Sequence, residues 1–157
     1  MKRKVDIQEL APLIKEVVDS GSQIRIYPSG KSMLPTIVDG RDSVMLTAPT
    51  DLKKMDIVFY QRSNGQYVLH RIVAVKKNSF DMCGDNQTAV EKNVPGNTVI
   101  AKVSGIYKVD KYVSIESEEM KKLAKKIYRK KPLQRFENTL KRIVKKVLYP
   151  IYRIIKK

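Results

Sequence analysis

Three short stretches of this 157-residue chain hold residue types that acyl transfer needs. The first, Pro28-Ser29-Gly30-Lys31-Ser32-Met33-Leu34-Pro35-Thr36, is a glycine-bearing turn stiffened by proline, with a serine at its centre. Gly30 lets backbone approach a substrate closely, Pro35 narrows the local conformations, and amides beside Ser32 can receive a developing oxyanion. The same composition makes an ordinary turn between strands, so the loop alone does not identify a nucleophile. The second is Tyr67-Val68-Leu69-His70-Arg71-Ile72-Val73, which carries the sole histidine. A neutral imidazole, with an ordinary pKa of about 6.5, can take a hydroxyl proton and return it to a leaving amine. Strand alternation puts Val68, His70 and Ile72 on one face and Leu69, Arg71 and Val73 on the other, which equally fits a packed, hydrogen-bonded histidine. The third is Met82-Cys83-Gly84-Asp85-Asn86-Gln87, a turn after a strand. Asp85 either orients the imidazole, as the acid of a triad does, or holds the local backbone; both roles stay open.

The elements around these stretches follow from periodicity. Ile7, Leu10, Ile14, Val17 and Val18 recur at helical spacing up to Ser20-Gly21, which predicts an N-terminal amphipathic helix within residues 1–22. Residues 23–116 change to short apolar and β-branched runs: Ile24 to Tyr27, Val44 to Ala48, Ile57 to Tyr60, Tyr67 to Val75 and Val99 to Val109. Gly, Pro, Asn and Asp separate them, and Asn64-Gly65 is a hairpin signal. The fold class expected is mainly β (α+β), a compact antiparallel β domain with helices at both ends. Residues 117–157 return to helical spacing, with a break expected at Lys131-Pro132 and a kink or division at Pro150.

Composition narrows the chemistry. Cys83 is the only cysteine and His70 the only histidine, which rules out an internal disulfide and argues against a zinc site of thiolates and imidazoles. A mechanism without metal or cofactor is expected. Met1-Lys2-Arg3-Lys4 is followed by Asp6, Glu9, Lys15 and Glu16 rather than an unbroken apolar stretch, so it does not read as a secretory signal. No window approaches the roughly 18 to 20 apolar residues that cross a bilayer.

Taken in order, Gly30-Lys31-Ser32-Met33-Leu34-Pro35-Thr36, Asp56-Ile57-Val58-Phe59, His70-Arg71-Ile72-Val73 and Gly84-Asp85-Asn86 resemble the sequence boxes of the signal peptidase and repressor-peptidase superfamily. The resemblance spans roughly Gln23 to Val109. It implies a β-rich fold with Ser32 as nucleophile, His70 as base in the manner of the endoplasmic-reticulum and archaeal type, and Asp85 as a possible third member. Gly30, Lys31, Met33 and Pro35 would line the oxyanion and substrate side. The chain departs from the pattern at three positions. Gly30 replaces a hydroxyl residue that some relatives use as an oxyanion donor, Met55 replaces the glycine before the Asp-Ile-Val box, and Ala101 replaces a later glycine. The membrane-spanning anchor of a typical signal peptidase is also not seen.

The net charge of +16 is concentrated at one end. Residues 1–120 carry 17 Lys/Arg and 15 Asp/Glu, whereas residues 121–157 carry 15 Lys/Arg and Glu137 alone, a balance of 15 − 1 = +14. On a helical wheel Leu133, Phe136, Leu140, Ile143, Val144, Val147, Leu148, Ile151, Ile154 and Ile155 fall within an arc of about 140°. Such a helix can lie in the interface of an anionic bilayer, with Tyr149 and Tyr152 near the edge of the stripe. It can also pack its stripe on the β domain. Nucleic acid ranks last among partners, because phosphate binding does not call for an aligned apolar stripe. The expected protein is therefore a Ser-His endopeptidase acting on an extended peptide or preprotein. Residues 133–157 would hold it on an anionic membrane surface at the cytoplasmic face, without a transmembrane span. A self-cleaving regulator of the same fold, or a catalytically idle peptide-binding protein, are the alternatives.

Overall fold

The computed structural model describes residues 6–155, with side chains described through Lys146. Helix α1 (Ile7–Asp19) starts at Asp6, whose carboxylate accepts from the Gln8 amide at 3.0 Å, satisfying one of the free amides of the first turn. It stops where the Ser22 amide bonds back to the Val17 carbonyl across Gly21, which sits at φ 82°. Ala11, Ile14 and Val18 form its buried face.

Eight strands follow: β1 (Ile24–Ile26), β2 (Asp42–Thr47), β3 (Ile57–Gln61), β4 (Tyr67–Val75), β5 (Ser79–Cys83), β6 (Glu91–Pro95), β7 (Val99–Lys108) and β8 (Lys111–Ser114). They form one antiparallel sheet in the order β1-β2-β7-β3-β4-β5-β6, with β8 also paired to β7. The expected fold class is the one observed: mainly β, with a short N-terminal helix and a C-terminal helix. Asn64-Gly65 lies at the β3–β4 connection, where Gly65 takes φ 83° and the Arg62 amide donates to the Gln66 carbonyl at 2.8 Å.

The sheet buries both its faces, and alternation decides which side chain goes where. Ile57 and Phe59 of β3 join Leu69 of β4, Val44 and Leu46 of β2, and α1 in the larger core. Val58 and Tyr60 of β3 join Ile72, Met82 and Val99 in the smaller one. Val58 pairs with His70 in register, so His70 belongs to a strand pair buried on both sides and is itself only 1% exposed.

Helix α2 (Glu118–Ile155) is continuous, which corrects the break expected at Lys131-Pro132 and a division of the helix at Pro150. Each proline removes one backbone donor, but anchors on both sides of Pro132 hold the helix to the body. Met120 and Ala124 are buried in the first turns. Tyr128 Oη donates to the Val73 carbonyl at 3.4 Å, and Arg135 Nε donates to the Thr88 carbonyl at 2.9 Å. Beyond them Leu133, Phe136, Leu140, Ile143 and Val144 are 44% to 66% exposed, so this part of the stripe does not pack on the β domain. The side chains of Val147, Leu148, Tyr149, Ile151, Tyr152, Ile154 and Ile155 lie outside the described residues, as does the basic segment Met1 to Lys4. Among the described residues no helix is long and apolar enough to cross a membrane.

Candidate active site

The Ser32 loop is a tight turn pinned at several points. The Leu34 amide donates to the Lys31 carbonyl at 3.3 Å and the Ile37 amide to the Met33 carbonyl at 3.0 Å. Met33 and Ile37 are buried in the larger core, which fixes the loop from below, while Ser32 itself is half-exposed. The Leu34-Pro35 peptide is cis, Pro35 is exposed, and so is Lys31. Gly30 takes φ 103°, a conformation that favours glycine, and its amide donates to Asp39 Oδ2 at 2.9 Å. That amide is therefore already committed, while Gly30 itself lines the groove on which Ser32 opens. The amides of Ser32 and Met33 donate to nothing among the described residues.

A second clamp comes from the Gly84-Asp85-Asn86 turn after β5. The Asn86 amide donates to the Ser32 carbonyl at 2.8 Å, and Asn86 Nδ2 to the Lys31 carbonyl at 3.1 Å. Gly84 lies so close that a Cβ there would stand 2.7 Å from the Ser32 carbonyl oxygen. Gly84 directly follows Cys83, which pairs with Arg71 of β4, so the turn ties the Ser32 loop to the strand that carries His70.

The hydrogen bonds of Asp85 run to the framework of the site rather than to the imidazole. Its carboxylate accepts from Arg71 Nε at 2.8 Å and Nη2 at 2.7 Å, and from the Thr36 hydroxyl. Arg71 Nη1 donates in turn to the Met55 carbonyl at 2.7 Å. A two-pronged arginine–carboxylate pair with its remaining sites bonded is a rigid bolt in a buried setting. It joins the Ser32 loop, β4 and the turn before β3, and leaves Asp85 making no hydrogen bond to the imidazole.

The imidazole is held instead by residues outside the four boxes. His70 Nδ1 lies 3.2 Å from Tyr60 Oη and 3.1 Å from Glu91 Oε1. Tyr60 donates its hydroxyl proton to Glu91 Oε2 at 2.9 Å, and Arg62 grips the same carboxylate, with Nε 2.9 Å from Oε2 and Nη2 on Oε1. Burial lowers the His70 pKa below the ordinary imidazole value, against an opposing pull from the Glu91 charge. Burial raises Tyr60 strongly, helped by its bond to Glu91, so the phenol keeps its proton. No buried side-chain nitrogen or oxygen among the described residues lacks a partner, and every bond of the ring runs through Nδ1. Nε2 is thus the ring nitrogen that no bond among the described residues uses, in a side chain 1% exposed. Ser32 Oγ makes no hydrogen bond to it among the described residues.

Lys131 of α2 completes the assembly. It follows Met120, Ala124 and Ile127 at helical spacing, is 4% exposed, and donates to Gly84 O at 2.6 Å, Gln87 O at 2.8 Å and Cys83 Sγ at 3.0 Å. Its ammonium serves the turn that clamps Ser32. Its place in the Met120, Ala124, Ile127 stripe is the signal that could have found it, as Tyr60, a hydroxyl inside an apolar strand, signals a buried hydrogen bond.

Ser32 opens on a groove of about 850 Å³, lined by Leu10, Ile26, Met33, Phe59 and Leu69 among others. β1 is an end strand of the sheet, so one edge of Ile24–Ile26 is free of strand pairing and borders this groove. A smaller hollow beside Glu91 is lined by Arg62, Asn86 and Thr88. Comparison of the chain with family models, with curated proteins and with solved structures gave no match.

Proposed function

We propose that the chain is a serine endopeptidase in which Ser32 attacks the peptide carbonyl and His70 Nε2 receives its proton. The observation that carries this reading is the clamp. Asn86, Gly84 and the Asp85–Arg71 pair lock the Ser32 loop onto the strand of the only histidine, at the mouth of an apolar groove. The unspent amides of Ser32 and Met33 are suited to the tetrahedral oxyanion. As the intermediate collapses, the amine leaves with the proton held on Nε2; water then attacks the acyl-serine, with His70 again accepting a proton. Serine–base hydrogen bonds commonly tighten only once substrate is bound, so a hydroxyl not yet bonded to the imidazole suits a resting site. Met55 supports the family reading. It takes φ 84°, where glycine is the usual residue, at the position where that superfamily carries glycine.

The substrate best suited to the groove is an extended peptide adding to the free edge of β1, with backbone bonds supplying affinity. Helix α2 supplies the place of action. Its exposed Leu133, Phe136, Leu140, Ile143 and Val144 lie among Lys141, Arg142, Lys145 and Lys146, which complements an anionic bilayer surface. Leader or signal peptides presented at that surface are the proposed substrates. Incubating the protein with preprotein in anionic vesicles tests this. Cleavage at one bond, abolished in folded Ser32→Ala and His70→Ala variants, is expected; cleavage that survives Ser32→Ala refutes it.

A further inference from the structure

We propose that Glu91, acting through Tyr60, is the positioning residue of the base: it fixes His70 as the Nδ1–H tautomer and leaves the Nε2 lone pair for Ser32. This rests on the peptidase reading above and adds to it an orienting acid outside the four sequence boxes.

Counting protons settles the polarity of the chain of bonds. Tyr60 has one hydroxyl proton and donates it to Glu91 Oε2 at 2.9 Å, so toward His70 its oxygen can only accept. Nδ1, 3.2 Å away, must then be the nitrogen that bears hydrogen. Glu91 Oε1, 3.1 Å from the same nitrogen, is an acceptor of the same polarity. Arg62 keeps Glu91 in the state this requires. Burial works to raise the carboxyl, but the bonds from Arg62 and Tyr60 outweigh it and hold Glu91 below the usual carboxylate range. The fold delivers each group separately. Tyr60 comes from β3, Arg62 from the residue after β3, His70 from β4, and Glu91 from the first position of β6, paired across from Met82. When His70 takes the serine proton, the Glu91 charge and the Tyr60 oxygen stabilise the imidazolium that forms. Asp85, the other acid nearby, is committed to Arg71 and Thr36.

The single histidine makes a direct test possible, because selectively ¹⁵N-labelled protein gives one imidazole spin system. Long-range ¹H–¹⁵N correlation of the wild type at neutral pH is expected to show Nδ1 protonated and Nε2 bare. In Glu91→Gln, whose amide can donate to Tyr60 and reverse the chain, that tautomer is expected to lose its dominance. The kcat should fall ~10²-fold with KM within about twofold, because orientation and imidazolium stabilisation act in the transition state. The acid limb of kcat/KM should move to lower pH, since Glu91 is the largest influence raising His70, with Tyr60, Arg62 and Asp85 the other groups facing it. Tyr60→Phe is the second variant, expected to lie between the two. An Nε2–H tautomer in the wild type, or an unchanged tautomer and kcat in folded Glu91→Gln, overturns the proposal. The spectrum decides this whether or not cleavage is seen, while loss of labelling of Ser32 by an acylating probe in the wild type would instead count against the peptidase reading.

Discussion

The proposed base must be neutral when substrate arrives, and burial of His70 keeps it so to lower pH than an exposed imidazole. The acid limb of kcat/KM is therefore expected below pH ~6.5, the ordinary value. The same shift carries a stability consequence. The unfolded chain protonates His70 more readily than the folded one, so this contribution is whole above the unfolded pKa and is lost as pH falls through the lower folded value. Denaturant midpoints between neutral and mildly acid pH check it; a midpoint that rises over that range would contradict it. Two backbone positions give sharper tests. Gly84→Ala would place a Cβ 2.7 Å from the Ser32 carbonyl and 2.9 Å from Gln87 Oε1, and should cost ~1–3 kcal/mol while displacing the nucleophile loop. Met55→Gly should do the reverse, gaining ~1 kcal/mol by relieving φ 84°. Both are read by chemical denaturation. At this scale Ser32, His70 and Asp85 are visible in the sequence as candidates, because their residue types and local turns advertise chemistry. Which acid faces the imidazole is not, since Glu91 and His70 meet only through the pairing of β4, β5 and β6.

Among the elements, β1 to β4 and β7 are legible because β-branched and aromatic residues run through them between clear turn signals. β6 is not: Glu91-Lys92-Asn93 has no apolar alternation, and its backbone is strand only because β5 pairs with it. Losing β6 from view also hides Glu91. Helix α2 shows the opposite failure. Pro132 looks like a boundary, yet contacts of Tyr128, Lys131 and Arg135 with the β domain carry the helix through it. Lys131 is the most exacting of these contacts, since its ammonium satisfies two carbonyls and a thiol of the turn that clamps Ser32. Lys131→Met should cost ~2–4 kcal/mol, because buried carbonyls lose their donor. Hydrogen exchange at Gln87 and Asn86 should rise in the same variant. Unchanged exchange there would show that α2 does not support the site.

For the whole molecule the near-neutral β body and the cationic helix divide the work. The body holds the groove, the clamp and the proposed base, and α2 bolts to the clamp before projecting an apolar face ringed by lysines. Replacing Leu133, Phe136 and Leu140 by serine should reduce binding to anionic vesicles at least tenfold, with the fold intact because each of these side chains is half or more exposed. Sedimentation with vesicles of graded anionic content measures this. The central claim concerns Ser32 and His70 acting together, and its most direct measurement is acylation by a serine-reactive probe, read by intact and peptide mass spectrometry on wild type, Ser32→Ala and His70→Ala. Modification of Ser32 alone, absent from both variants, is the expected result. A folded wild-type protein whose Ser32 stays unmodified, with and without anionic vesicles, would contradict it.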